Sequence, residues 1–173
     1  MDYILKYKLK RYYKQNARAK NFLNLKDIHS VLVLFDTAYS DEASDCIRQL
    51  KDAGKALTVC VYQRKKDGQD YSNTGYYVVL QKAAGKWWGN PVYSIIRELE
   101  KQPFDAIIDL TVQRNTPLEY VLACTPASVK AGLKKNHFPQ YDLAITCLPE
   151  TENSSVGELG KQILHYLDVI HVK

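Results

Sequence analysis

Cysteine is scarce and unpatterned: Cys46, Cys60, Cys124 and Cys147 form no CxxC pair and stand at no zinc-finger spacing from a histidine. No metal site is expected. Cys60 and Cys147 fall inside apolar runs, where a free thiol behaves as a small hydrophobe; disulfides and reactive thiols are the alternatives. The histidines His29, His137, His165 and His171 are scattered without a partner pattern. Glycine forms no GxGxxG after the first apolar run, and "GKWWGN" misses the GxxxxGK[ST] spacing that cradles phosphates. GxSxG, HExxH and the kinase signatures are also missing. No cofactor is therefore expected, and no residue is assigned a catalytic role.

Long hydrophobic runs are lacking too. None approaches the ~18 apolar residues of a membrane span, and lysines interrupt "MDYILKYKLKRYYK" where a secretory signal needs a continuous apolar core. A cytoplasmic protein without a transmembrane segment is the expectation, and reduced thiols agree with it. At 173 residues, folding buries roughly 70% of the unfolded chain's surface, enough for a core without staples.

A net positive charge is lacking outside one segment. Residues 1–20 hold seven basic residues against Asp2, or +6, while the rest holds 17 basic and 18 acidic residues, or −1. As a helix, this segment sets Leu5, Leu9 and Tyr12 on one side and its cations around the rest. Residues 1–24 therefore read as a basic amphipathic arm, and 25–173 as a single α/β domain. The arm either packs its apolar side on the domain with solvated cations, or offers Lys6, Lys8, Lys10, Arg11, Lys14 and Arg18 to a polyanion. Nucleic acid and an anionic membrane surface are the partners such an arm suits, and a protein partner is the third.

Beyond the arm, apolar runs alternate with amphipathic segments. "VLVLF" ends at Asp36, and Ser40 is expected to cap the helix that follows, which stops near Gly54. "ALTVCVY", "GYYVVLQK", "FDAIIDLT", "SVKAGL" and "YDLAITCL" are the further strands. Helices are expected from Val92 to Lys101, from Pro117 to Cys124, and along the face of Val156, Leu159, Ile163, Tyr166 and Leu167. Strands apolar on both faces belong in a helix-covered parallel sheet. The fold expected is a Rossmann-like three-layer α/β sandwich with a mostly parallel sheet of about 5–6 strands and an N-terminal basic helix.

In such sheets ligands bind beyond the carboxyl ends of the strands. Asp36 and Asp109 stand at two such ends, followed by Thr37 and Thr111, with Arg114 just beyond. They form either a ligand-binding rim, for a ribose, a magnesium ion or a proton-transfer step, or acids that bond to the backbone of the next loop. Trp87 and Trp88, between Gly85 and Gly89, either cover one end of the core or dock a partner.

The succession "KWWGNP", "FDAIIDLT", "PLEYVLACTPASVKAGL", "YDLAI" and "ILHYLDVI" resembles an uncharacterised family of small bacterial α/β proteins, a domain of unknown function. That resemblance covers most of the chain after about residue 25 and implies no activity, cofactor or catalytic residue. A partial resemblance is to the N-terminal half of heptosyltransferase-type glycosyltransferases, in which a strand ending in Asp-Leu, a helix, and a short strand with basic-x-Gly recur. Phe104 to Leu110 and Lys130 to Gly132 fill those places. Such enzymes need a second Rossmann-like domain for the donor, which leaves glycosyl transfer by this chain alone unsupported. The expectation is a non-enzymatic module contacting a polyanion or protein through its basic helix. The alternative is a small enzyme, or a nucleotide or sugar-nucleotide binder, at Asp36 and Asp109.

Overall fold

A computed structural model describes residues 7, 9–13, 19–64, 70–71, 73–81, 91–135, 141–146 and 156–170. Strands β1 (Ser30–Asp36), β2 (Ala56–Gln63), β3 (Tyr77–Leu80), β4 (Phe104–Asp109), β5 (Ala127–Leu133) and β6 (Leu143–Ile145) form one sheet in the order β3-β2-β1-β4-β5-β6. Every pairing is parallel. The helices that pack on this sheet include α1 (Ser40–Asp52), α2 (Pro91–Leu99), α3 (Thr116–Cys124) and α4 (Val156–Val169).

β1 is central, which is why it carries an apolar run with no polar alternation: Val31 to Phe35 are all buried. Val31, Val33 and Phe35 join Ala106, Ile108, Val129 and Ala131 in the cluster that receives Ala43, Cys46, Ile47 and Leu50 of α1 and Leu159 and Ile163 of α4. On the other face, Leu32, Leu34, Cys60 and Ile107 meet Val92, Ile96 and Leu99 of α2 and Leu118, Val121 and Leu122 of α3. Strand alternation thus builds a helix–sheet–helix sandwich, the Rossmann-like three-layer fold expected.

α1 ends as the sequence foretells. Gly54, at φ +73°, follows the cap residue Ala53; its N–H bonds to the Lys51 carbonyl, and the Lys55 N–H to that of Leu50. This double bond pattern needs a left-handed residue at Gly54. The start of α1 differs from expectation. A 3-10 turn, Thr37–Tyr39, leads into the helix, Tyr39 stands at the cap without a side-chain bond, and Ser40 is already helical. The Ser40 hydroxyl donates to the Thr37 carbonyl at 2.7 Å and shares a 2.6 Å hydrogen bond with the Tyr71 hydroxyl. Asp36 caps the 3-10 turn instead, accepting from the Ala38 N–H at 3.0 Å, and α1 itself starts without a side-chain cap. β6 is shorter than "YDLAITCL" suggests: Tyr141 and Asp142 precede it, although the Asp142 N–H still donates to the Lys130 carbonyl of β5 at 2.8 Å, and Cys147 lies outside the described residues.

The amino-terminal segment is held to the domain. Asn21 N–H donates to Asp142 Oδ1 at 3.0 Å, and the Asn24 amide donates at 2.8 Å to both the Asp168 and Ile170 carbonyls at the end of α4. Among the described residues no helix is long and apolar enough to cross a membrane.

Candidate functional site

The strand order reverses between β1 and β4, since the chain moves outward to β2 and β3 on one side and to β5 and β6 on the other. That is where open α/β sheets part their carboxyl-end loops. Asp36 and Asp109 flank this point. Leu34 is the register partner of Asp109, so Asp36 stands two residues further along the adjacent strand. Both acids lie on the carboxyl edge, on the face covered by α2 and α3, but they turn to different neighbours.

Asp36 is tied toward β2. Arg64, just beyond that strand, donates from Nε to Oδ1 at 3.1 Å and to Oδ2 at 3.0 Å, and its Nη2 lies 3.0 Å from Oδ2. Thr37 donates its hydroxyl to the Tyr62 carbonyl at 3.2 Å. Burial, and secondarily the Asp36 charge, raises the pKa of the Tyr62 phenol, with Arg64 opposing.

Asp109 is tied toward β5 and is nearly sealed from solvent. Its Oδ1 accepts the Thr111 N–H at 2.9 Å and the Thr111 hydroxyl at 2.6 Å. Its Oδ2 accepts the Lys135 ammonium at 3.0 Å and, in a very short contact, the Tyr141 hydroxyl. Lys135 also donates to Thr111 Oγ1 at 2.6 Å. A carboxylate has about four lone-pair sites, and all four are taken. The Lys135 and Asp109 side chains are 6% and 2% exposed, which makes a buried, charge-balanced pair. Burial first, then the charge and hydrogen bond of Asp109, pushes the Tyr141 phenol well above its ordinary pKa. The Tyr141 phenol therefore keeps its proton, and every acceptor site of Asp109 is met from within the chain.

Gly132 makes this closure possible. It is the register partner of Asp109 on β5, and a Cβ there would stand 2.5 Å from Tyr141 Cε1 and 2.7 Å from Cζ. The bare backbone lets the ring cross β5 to reach the carboxylate. Nearby, Lys130 is also buried, its ammonium 2.6 Å from the Leu122 carbonyl near the end of α3, where a cation meets the negative end of the helix dipole. Its own N–H donates to Asp142 Oδ2 at 2.7 Å.

Of the five strand-end candidates, Asp36 and Thr37 thus belong to one arrangement and Asp109 and Thr111 to another. Arg114 belongs to neither: its Nε lies 3.8 Å from Oε2 of the buried Glu119. Sequence reasoning missed Arg64, Lys135 and Tyr141. The available signal was Gly132, because a glycine inside a strand marks a close approach. Among the described residues no group of three or more His, Cys, Asp and Glu could hold a metal ion.

In the arm, residues 9–13 are helical, with Leu9 3% exposed. Tyr13 packs against the α2/α3 core, where burial, then the charge of Glu119, raises its pKa. Lys10 and Arg11 are exposed. Lys6, Lys8, Lys14, Arg18, Trp87 and Trp88 lie outside the described residues. Separately, a cavity of about 480 Å3 opens between α1 and the Tyr71 and Tyr76 rings, floored by Phe35 and Ile47.

Two solved structures are similar to this chain. One is a glycosyl transferase family 9 protein from Veillonella parvula DSM 2008, with a TM-score of 0.55 and 14% identity over 88% of this chain and 44% of that one. The other is E. coli heptosyltransferase WaaC with ADP, with a TM-score of 0.48 and 11% identity over 79% and 46% of the two chains. This chain thus spans less than half the length of either, and the first likeness speaks for the fold alone. No curated protein matches the chain in sequence. A family model does match, over residues 2–170, and by that match the chain belongs to the family of unknown function DUF6913.

Proposed function

We propose that the protein is a non-enzymatic α/β module that binds a polyanion through its N-terminal arm. The observation that carries this reading is the division of labour on the arm: Leu9 and Tyr13 face the domain, while Lys10 and Arg11 face solvent. These two exposed cations belong to a segment with a +6 excess of charge. The buried Leu9 is not available to a bilayer, and insertion draws on a helix's apolar face, so nucleic-acid phosphates are favoured over a membrane surface. The non-catalytic part of the reading is supported by Asp109, whose four acceptor sites are filled from within the chain.

The test is retention of the full chain on immobilised RNA and on anionic vesicles as salt rises. Releasing the counterions of Z phosphates gives a slope of about −0.9Z on duplex and about −0.7Z on single strands in log affinity against log salt. Steep salt-sensitive retention on RNA is expected, weakened by glutamine at Lys10 and Arg11. Absence of retention at low salt discards the reading.

The strand order favours a second reading, a nucleotide or sugar-nucleotide ligand at the reversal between β1 and β4, with Asp36, Thr37, Asp109, Thr111 and Arg114 around it. Thermal-shift screening with nucleotides, sugar nucleotides and magnesium addresses it, since a ligand at 100 times its Kd stabilises by about 2.7 kcal/mol. No shift across the panel rejects it.

A further inference from the structure

The most exposed large apolar side chain among the described residues is not on the domain but on the arm: Tyr7 is 64% exposed. It is helical, and Lys10 and Arg11, both exposed, follow at i+3 and i+4. Those spacings put all three on one stretch of helix surface, while Leu9 faces the domain. Tyr12 and Tyr13 are half-buried, with Tyr13 in the α2/α3 core. Tyr7 therefore differs from its neighbours in having a bare ring beside two cations.

A ligand that offers only phosphates or sulfates has no use for that ring. In duplex nucleic acid the base faces are already stacked. Unpaired bases present π-faces to an aromatic side chain and phosphates to the adjoining cations, and each base–ring stack adds to affinity without reading sequence.

We infer that Tyr7, Lys10 and Arg11 form a stacking and phosphate-binding face for single-stranded nucleic acid. This inference rests on the polyanion reading above and narrows it to one structural class of partner. Tyr7 supplies the ring on which a base lies; Lys10 and Arg11, one turn further along the helix, hold the adjoining phosphates.

The experiment is fluorescence anisotropy with the full chain at fixed low salt. The probes are a mixed-sequence single strand, the duplex of the same length, a heparin oligosaccharide and phosphatidylserine vesicles. The variants are Tyr7→Ala, Tyr7→Phe and the pair Lys10→Gln with Arg11→Gln, all at exposed positions. The wild type is expected to prefer the single strand over the duplex. Tyr7→Ala is expected to weaken single-strand binding by roughly five- to a hundredfold, the range of one base stack, with duplex and heparin binding unchanged. Tyr7→Phe keeps the ring and is expected to retain single-strand affinity. The glutamine pair is expected to weaken every polyanion and to shallow the salt slope.

Equal affinity for single strand and duplex, a Tyr7→Ala loss that is the same on all probes, or no Tyr7→Ala loss at all overturns the inference. If the glutamine pair still weakens binding in those cases, the polyanion reading stands without it. If the glutamine pair changes nothing, the polyanion reading itself falls; if vesicles alone are bound, the inference and the preference for nucleic acid fall and a membrane surface takes their place.

Discussion

Replacing Gly132 by alanine perturbs the Asp109 cluster with a single methyl group. That methyl would meet Tyr141 at 2.5, 2.7 and 2.9 Å, at Cε1, Cζ and the hydroxyl oxygen. All three contacts are shorter than atoms tolerate, and the ring is buried, so it cannot swing into solvent. Overpacking of this kind costs about 1–3 kcal/mol. If the ring withdraws, Asp109 also loses a hydrogen bond to a charged acceptor, about 1.5–3 kcal/mol more. A total of about 2.5–6 kcal/mol is expected, a large share of the ~5–15 kcal/mol that holds a domain folded. It corresponds to a fall in Tm of roughly 5–24 °C for a chain of this size. Urea denaturation of Gly132→Ala in two backgrounds measures it. With Tyr141→Ala already in place the obstacle is gone, and Gly132→Ala should then cost within about 0.5 kcal/mol of nothing, the margin of ordinary additivity. An equal cost in both backgrounds, or none in the wild type, refutes the view that Gly132 exists to admit Tyr141.

Lys135→Met removes one partner of the buried Asp109 pair; a loss of about 3–5 kcal/mol is expected, and adding Asp109→Asn should recover part of it in the same denaturation assay. The phenols of Tyr13 and Tyr141 have pKa values raised in the folded state. The unfolded chain therefore releases those protons first, and stability present below pH ~10 is lost as pH rises beyond it. Absorbance of tyrosinate and circular dichroism followed together should show these two ionising only as the fold is lost. Asp105 is shifted the other way, its pKa lowered by the Ser30 and His29 N–H groups. Its contribution is present above pH ~3.9 and is lost as pH falls below it, so Asp105→Asn should flatten the acid limb of the stability curve. Burial pushes the Cys46 and Cys60 thiols up to about 12, and a thiol reagent at pH 8 should label them at the rate of unfolding; fast labelling of the native protein contradicts their inert, packed state.

The sandwich was legible because each strand carries its own signature. The unbroken apolar run Val31 to Phe35 signals burial on both faces, and Ala43, Cys46, Ile47 and Leu50 repeat at helical spacing. Strand ends were legible too: Asp36 and Asp109 both bond to an N–H of the following loop, as short acids do where a strand stops. What one sequence hides is pairing between distant positions. Lys135 reads as a loop residue and Tyr141 as the first residue of a strand until Gly132 brings Asp109 within reach, a contact set by strand order rather than local pattern. The capping role expected of Ser40 is absent for a similar reason: Ser40 is already helical and its hydroxyl has a partner in Tyr71, 31 positions away.

The Asn24 amide, clasping carbonyls 144 and 146 positions along the chain, has a consequence for the order of folding. Closing a loop of that length on its own would cost roughly 4 kcal/mol of chain entropy, more than two hydrogen bonds of net ~1 kcal/mol each can return. The clasp can form only after the sheet has already brought its two sides together. Asn24→Ala should accordingly hasten unfolding and leave the refolding rate almost untouched.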